Sequence, residues 1–397
     1  MLKANTGSST KAEASLAGKE AAAKAKEGLS DLKLAFVYSG VQYDQKKLLE
    51  GIAAELPGVP LIGNTVFTGV VTPEGFITGE NGFVGLLAIA DANLTIGRAA
   101  LAKSGEARST GREVALAALK AANKPTTGKI QAPDYFYMVA PPGEEEFYLK
   151  GIEEVIGRVP FFGGSAADNE IAGKWSLFTD TLVTADGVAV AFFYTDSPFH
   201  NHFTGAYEET ANCGVITKIK GNRTLVEIDG VPAVTKYAQW TGLEQKDLMG
   251  FNLLVTTITG PLGVKDRLGD LIAIRHPMNG NDDLSMEIGA NLAVNTAVIQ
   301  MKGSLDGLIA SAGNEVKETL NKFKAKAPGL TPGALVLVHC GGRRAGIGDR
   351  IEEAVKAIKA EAGSIPFIVN FTFGEYGYQD DGNNTTGGLM LSYTALS

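Results

Sequence analysis

Apolar runs about five residues long recur along this chain, each set between stretches with a helical rhythm. The runs at 34–38 (Leu-Ala-Phe-Val-Tyr), 135–139 (Tyr-Phe-Tyr-Met-Val) and 335–339 (Leu-Val-Leu-Val-His) read as buried strands. An Ala/Lys-rich helical stretch opened around Gly18, Gly111 or Gly313 precedes each run, and a second helix follows at 45–55, 145–156 or 349–362. Next comes a second strand opened by a proline, Pro60, Pro160 or Pro366, at a strand start where the missing backbone donor is tolerated. Gly/Thr-rich punctuation and a closing strand after Gly82, Gly187 or Gly388 complete the unit. The chain therefore carries three copies of helix–strand–helix–strand–turn–strand, each about a hundred residues long, a domain-scale duplication and not a short-period solenoid.

This order predicts an α/β protein of two domains built from internal repeats, with mixed parallel and antiparallel sheets flanked by helices. Helix-linked strands become parallel neighbours through right-handed crossovers, and the Gly-rich turns add antiparallel ones. The expected division lies near Ser197-Pro198, giving 1–196 with two copies and 197–397 with one clear copy. Symmetry suggests a worn further copy at 228–260. Around it, 215–220, 225–228, 253–258, 271–276, 284–287 and 295–301 read as strands and 232–241 as a short helix, while residues 1–12 read as flexible.

At 397 residues the chain exceeds the ~250–300 at which one core stops growing, which agrees with two domains. A net charge of −8 disfavours nucleic acid as the main partner. Two cysteines, Cys213 and Cys340, cannot frame a disulfide scaffold and suit a reduced compartment. No apolar stretch reaches the ~18 residues of a membrane span, and the polar start has no signal-like apolar core. The expectation is a cytoplasmic protein without a membrane partner.

Val226-Glu227-Ile228-Asp229-Gly230-Val231-Pro232-Ala233, His339-Cys340-Gly341-Gly342-Arg343 and Phe373-Gly374-Glu375 resemble landmarks of the FIST C-terminal domain. Gly163-Gly164-Ser165-Ala166-Ala167-Asp168, with the strand after Gly187, resembles its FIST N-terminal partner. Together they span nearly the whole chain in the expected order. The resemblance implies a cytoplasmic sensory module for small ligands, amino acids being the proposed class, with its output passed to another protein.

The residues themselves suggest where a ligand would sit. Gly163, Gly164 and Ser165 end an apolar run, where consecutive backbone amides can cradle a carboxylate or phosphate. The plain alternative is a tight turn that packs. Polar residues recur nearby and at the equivalent turns, as Asp168, Asn64, Thr65 and Asn370. Arg343 has the planar fork that suits a ligand carboxylate. Glu375, between Gly374 and Gly377, would meet a ligand ammonium; alternatively it simply pairs with Arg343.

Cys340 precedes Arg343-Arg344, whose charge would lower a thiol pKa and make it the nucleophile of a hydrolase or transferase, the rival reading. Against it, Cys340 at a strand end also suits simple packing, and His339 should point to the opposite face. His200 and His202 share a strand face but lack further ligands at metal spacing, so no metal is expected. The Gly341–Gly348 stretch has neither a Walker lysine nor the dinucleotide spacing, so no nucleotide cofactor is expected. A ligand-free scaffold would leave the recurring polar turns unexplained.

Overall fold

In the computed structural model, which describes residues 2–265, 270–379 and 384–397, every apolar run of the repeats is a strand. The first repeat runs Lys3–Ser9 (β1), Ala14–Ala25 (α1), Leu32–Ser39 (β2), Gln45–Glu55 (α2), Leu61–Thr65 (β3), the hairpin Val70–Thr72 and Gly75–Ile77 (β4, β5), and Val84–Ala90 (β6). The second runs Thr95–Ala102 (β7), Ala107–Ala121 (α3), Tyr135–Ala140 (β8), Glu145–Ile156 (α4), Phe161–Ser165 (β9), Leu177–Thr179 and Leu182–Thr184 (β10, β11), and Gly187–Tyr194 (β12).

The third repeat starts at Phe199–Thr204 (β13) and is then interrupted. Residues 205–303 form an insertion of Glu208–Lys220 (β14), Thr224–Ile228 (β15), Val231–Pro232 (β16), Ala233–Thr241 (α5), Asn252–Thr256 (α6), Leu262–Lys265 (β17), Ile272–Arg275 (β18), Pro277–Gly280 (β19), Met286–Ile288 (β20) and Ala297–Lys302 (β21). The repeat resumes with Leu305–Lys326 (α7), Ala334–Cys340 (β22), Gly341–Ile347 (α8), Ile351–Ala362 (α9), Phe367–Thr372 (β23), Glu375–Gly377 and Thr385–Gly387 (β24, β25), and Leu391–Leu396 (β26).

Each repeat thus begins one strand earlier than its sequence pattern suggests. Residues 3–9, expected to be flexible, pair in register with β6 from Lys3↔Ala90 to Ser9↔Val84. Their polar sequence hid them, because an edge strand needs one apolar face at most. The recurring glycines lie inside the first helix of each repeat and let the second helix approach. A Cβ on Gly18 would sit 2.3 Å from the Leu48 carbonyl oxygen, and one on Gly111 would sit 2.2 Å from that of Tyr148.

The same pairings recur three times. β2, β8 and β22 run parallel to β3, β9 and β23, and antiparallel to β6, β12 and β26. The hairpins, however, are exchanged. The sheet orders are β1-β6-β2-β3-β10-β11, β7-β12-β8-β9-β24-β25 and β13-β26-β22-β23-β4-β5, so each repeat's hairpin completes another repeat's sheet. The insertion is a separate sheet in which every described pair is antiparallel.

Within the insertion, 228–260 runs strand, strand, helix, 3-10 turn, helix, with no parallel pair. The run at 253–258, expected to be a strand, is largely the helix Asn252–Thr256, with the Thr257 hydroxyl donating back to the Leu253 carbonyl at 2.8 Å. A short unbroken apolar run does not tell strand from helix by periodicity.

Alternation along the strands puts one face of each sheet inside and the other under helices. The inner faces share one cluster, with Phe36 and Tyr38 from the first sheet, Tyr137 and Phe162 from the second, and Val336 and Val338 from the third. The Phe162 ring lies 5.2 Å from Tyr137 and 6.4 Å from Phe36, so it joins two repeats. The Tyr38 and Tyr137 hydroxyls, 3.0 Å apart, satisfy each other where no water reaches. The outer faces form three further clusters, one beneath each helix layer.

Phe162 and Leu337 are both fully buried, the first in the shared centre and the second under the third helix layer. Truncation of either to Ala is expected to cost about 2–5 kcal/mol in urea unfolding. A loss well under 1 kcal/mol for Phe162→Ala would contradict its place at the junction of the repeats.

Candidate functional site

Strand polarity places the ends of the parallel pairs on one side of the core, and a cavity of about 230 Å3 opens there. Phe67 follows β3, Pro142 and Gly143 follow β8, Cys340 ends β22, and Phe373 follows β23; Trp175 comes from the loop before β10. The insertion supplies the facing wall through Arg223, Leu254, His276 and Met278. Phe373 lies 5.9 Å from Phe67 and meets Trp175 edge-on at 6.3 Å, so the core side is an aromatic corner. Exposed Ile171 and Ala345 stand at the rim.

Behind Arg223 lies a buried polar network. Glu145, the first residue of α4, accepts the Gly143 N–H at 2.6 Å, the Ser165 hydroxyl at 3.2 Å and Arg223 Nη2 at 2.8 Å. Ser165 Oγ is also 2.8 Å from the Tyr376 hydroxyl. Glu146 accepts Arg223 Nη2 at 2.7 Å, the Asn291 N–H at 3.0 Å and the Thr386 hydroxyl at 2.9 Å. Burial raises the Glu145 carboxyl above its ordinary value against the pull of Arg223. At Glu146 burial acts the same way, but the Arg223 charge and the Asn291 N–H outweigh it and keep that carboxyl low. One arginine thus serves two carboxyls that are shifted in opposite directions.

A second polar group lies under Cys340. Glu375 accepts the Thr372 hydroxyl and the Met390 N–H, each at 2.9 Å, and burial pushes its carboxyl up to about 8. Cys340 Sγ accepts the Gly342 and Leu389 N–H groups at 3.2 and 3.1 Å. The expected lowering of this thiol by Arg343-Arg344 does not occur, because burial and the neighbouring Glu375 push it up. His339 faces the other way, its Nδ1 3.0 Å from the Tyr393 hydroxyl. His276 is held neutral, its pKa brought down to about 4 by burial. A carbonyl can only accept, so the 3.0 Å contact with Leu254 O puts the proton on Nε2.

Of the residues anticipated from sequence, Cys340 lines the cavity, while Ser165 and Glu375 stand one layer behind it. Arg343 is a correction. Its side chain is fully buried, donates to the carbonyls of Gly205 (2.7 Å) and Leu389 (3.4 Å) and to Ser311 Oγ, and is not among the cavity-lining residues. The Arg343–Glu375 cradle for a zwitterion is therefore not formed; Arg343 braces the backbone instead.

Gly163 and Gly164 are corrected too. They do not make a turn with free amides but lie within β9, paired with β8 on one edge and β24 on the other. Gly163 has φ of +145°, and a Cβ there would lie 1.9 Å from the Met138 carbonyl oxygen. At Gly164 a Cβ would meet Val338 and Thr372 at 2.8 Å, so glycine here serves the junction with the third repeat.

Asp168 binds its own loop through the N–H groups of Glu170, Ala172 and Lys174. Thr65 ties to the Ser176 backbone, and Asn64 Nδ2 donates to Thr65 O. Asn370 is buried with no hydrogen-bond partner for its amide among the described residues. His202 pairs with Glu315 at 2.8 Å, and among the described residues no group of three or more His, Cys, Asp or Glu could hold a metal.

Sequence reasoning missed Glu145, Arg223, Tyr376, His276, Phe67 and Trp175. A signal existed for Glu145. It occupies the place of Gln45, since each starts the second helix of its repeat and turns a buried side chain back on the preceding loop. Arg223 lies in the insertion, where no repeat could flag it.

The FIST N domain matches residues 33–231 and the FIST C domain residues 233–378. No curated protein matches the chain. Among solved structures, cyanuric acid hydrolase from A. caulinodans is 11% identical, covering 100% of both chains with a TM-score of 0.36. A chorismatase is 9% identical, covering 100% of this chain and 98% of its own with a TM-score of 0.39. Phosphoribosylformylglycinamidine synthase II from Thermotoga maritima is 12% identical, covering 99% of this chain and 71% of its own with a TM-score of 0.23. Likeness at this level says nothing about what the chain does.

Glu375 gives a pH signature. Its value rises on folding from 4.5 to about 8, so between those limits the folded state holds a proton that the unfolded state has lost. Stability from this group is complete below the lower limit and declines as pH rises to the upper one, by at most about 1.4 kcal/mol per pH unit. Glu375→Gln is expected to flatten that decline in urea unfolding followed from about pH 5 to pH 8. Parallel profiles for the two proteins would mean that the carboxyl is already ionised in the fold.

Proposed function

The chain belongs to the FIST family, whose domains are associated with sensing and signal transduction, and from that premise we propose that it binds a small amino-acid-like ligand in the cavity beneath the insertion and signals through a partner protein. The observation that carries this reading is the cavity itself, enclosed by loops of all three repeats and by the insertion, off the strand ends where α/β sheets hold ligands. At about 230 Å3 it is smaller than the ~300–1,000 Å3 of drug-sized sites, which favours a ligand of amino-acid size.

Within that class the walls favour an aromatic or branched apolar side chain, placed against Phe67, Trp175 and Phe373. Arg223 would take the polar end. Its Nη2 already meets two carboxyls and its Nη1 the Gly289 carbonyl at 3.1 Å, which leaves one Nη1 N–H for a ligand oxygen. Turnover through Cys340 is less well supported, because burial and the Glu375 carboxyl keep the thiol protonated and His339 turns away from it.

A thermal-shift screen of the amino acids tests the reading. A ligand at 100 times its Kd adds about 2.7 kcal/mol of stability, which a melting curve resolves. Stabilisation is expected from aromatic or branched members and not from aspartate or lysine, and Ala345→Trp, which blocks the rim, should abolish it with the unliganded melting point nearly unchanged. Equal response in wild type and Ala345→Trp would place the ligand elsewhere, and no response to any member would remove the amino-acid class.

A further inference from the structure

The insertion touches the core in two unlike ways. At its hinge side, Phe203, Leu389 and Met390 of the core pack with Ile274, Ile299 and Met301 of the insertion in a small apolar cluster. Arg343 fixes the same corner by donating to the Gly205 carbonyl, and its guanidinium lies 5.6 Å from the Tyr207 ring. The far corner is held differently. There Arg223 reaches across to Glu145 and Glu146, and the Asn291 N–H donates to Glu146. Arg275 bonds the Thr386 carbonyl at 3.1 Å, whereas the Gly388 N–H, which donates to the Ile274 carbonyl at 3.3 Å, belongs to the hinge side.

We propose that the insertion is a hinged cover over the cavity, fixed at the Arg343 corner and latched at the Arg223 corner, and that the latch is where ligand occupancy changes the position of the cover. Arg223 is suited to this because the same guanidinium lines the cavity and bridges the two bodies. A ligand oxygen on its remaining N–H competes for a cation that already serves two carboxyls. Polar contacts across a seam exchange partners readily, whereas apolar packing comes apart only by exposing surface, so movement concentrates at the latch. The regulatory half of this inference rests on the cavity being the ligand site; the movement of the cover does not.

Amide hydrogen exchange followed by mass spectrometry on the unliganded full chain tests the movement alone. The Asn291 amide is protected by its contact across the latch and the Gly388 amide by its contact at the hinge, whereas those of β8 and β22 are protected inside the core sheets. In Arg223→Gln, the peptide containing Asn291 should exchange about tenfold faster, with the Gly388, β8 and β22 peptides unchanged. Glu146→Gln, at a less buried position, should act in the same direction and serves if the first variant fails to fold. Seam and core peptides accelerating together would mean that the chain opens only as a whole, and an unchanged seam in both variants would mean that Arg223 is no latch. Either result overturns the hinged cover. The outcome is independent of the amino-acid screen, so a chain with no amino-acid ligand can still show the cover moving, and the reverse.

Discussion

None of the three repeats completes its own sheet. In each, the second parallel strand exposes an edge of unpaired N–H and C=O groups, and a hairpin from a different repeat covers it. The hairpin at β4 and β5 lies against β23, that at β10 and β11 against β3, and that at β24 and β25 against β9. Because the exchange closes on itself, the first and last thirds of the chain are joined by backbone hydrogen bonds. A buried edge left open would carry unsatisfied polar groups at about 1–3 kcal/mol each, which makes the closed ring the arrangement without that penalty. The shared inner cluster around Phe162, and glycine at positions 163 and 164, follow from this close meeting of strands.

Closing the ring also gathers the strand ends of all three repeats on one side, and there the symmetry breaks. The insertion sits between β13 and α7 of the third repeat alone, and it brings Arg223 only to the second repeat's helix start. Where that helix carries Glu145, the first repeat carries Gln45, a neutral side chain whose amide is fully used by Ser39 Oγ and the carbonyls of Gly40 and Tyr43. Among the described hydrogen bonds of Gln45 none is to an arginine. The charge therefore stands where the insertion can compensate it.

Three titratable groups at the cavity are governed more by burial than by their neighbours, unlike Glu146 and Arg223, which hold each other charged. Cys340, Glu375 and His276 are all pushed toward their neutral forms. A site with a protonated thiol, a neutral imidazole and aromatic walls discriminates by shape and hydrogen-bond matching. The same burial explains why arginines close in sequence do not activate the cysteine. Arg343 turns its charge onto backbone carbonyls, and Arg344 lies over the Phe76 ring at 4.9 Å.

The three-fold duplication, the α/β class, the mixed sheets and the buried strands could all be read from the chain alone, because apolar periodicity reports the burial that drives each element. The polar edge strand Lys3–Ser9 escaped because it is half-exposed, and the helix Asn252–Thr256 because a short apolar run has no distinctive period. At the site, Cys340 and the ends of the parallel strands were legible. Arg343 and Gly163-Gly164 were legible as unusual but not in their roles. A guanidinium next to a thiol in sequence can be turned to either face, and two glycines at a strand end serve equally for a ligand or a close neighbour. Only the tertiary structure decided between these, by exchanging the hairpins so that β24 occupied the glycine edge, and by folding the insertion back so that Arg223, more than seventy residues from Glu145, supplied the charge facing the cavity. Local patterns record how much of a side chain is buried; which partner it meets there depends on contacts between distant segments, and those are set by the closure of the whole ring.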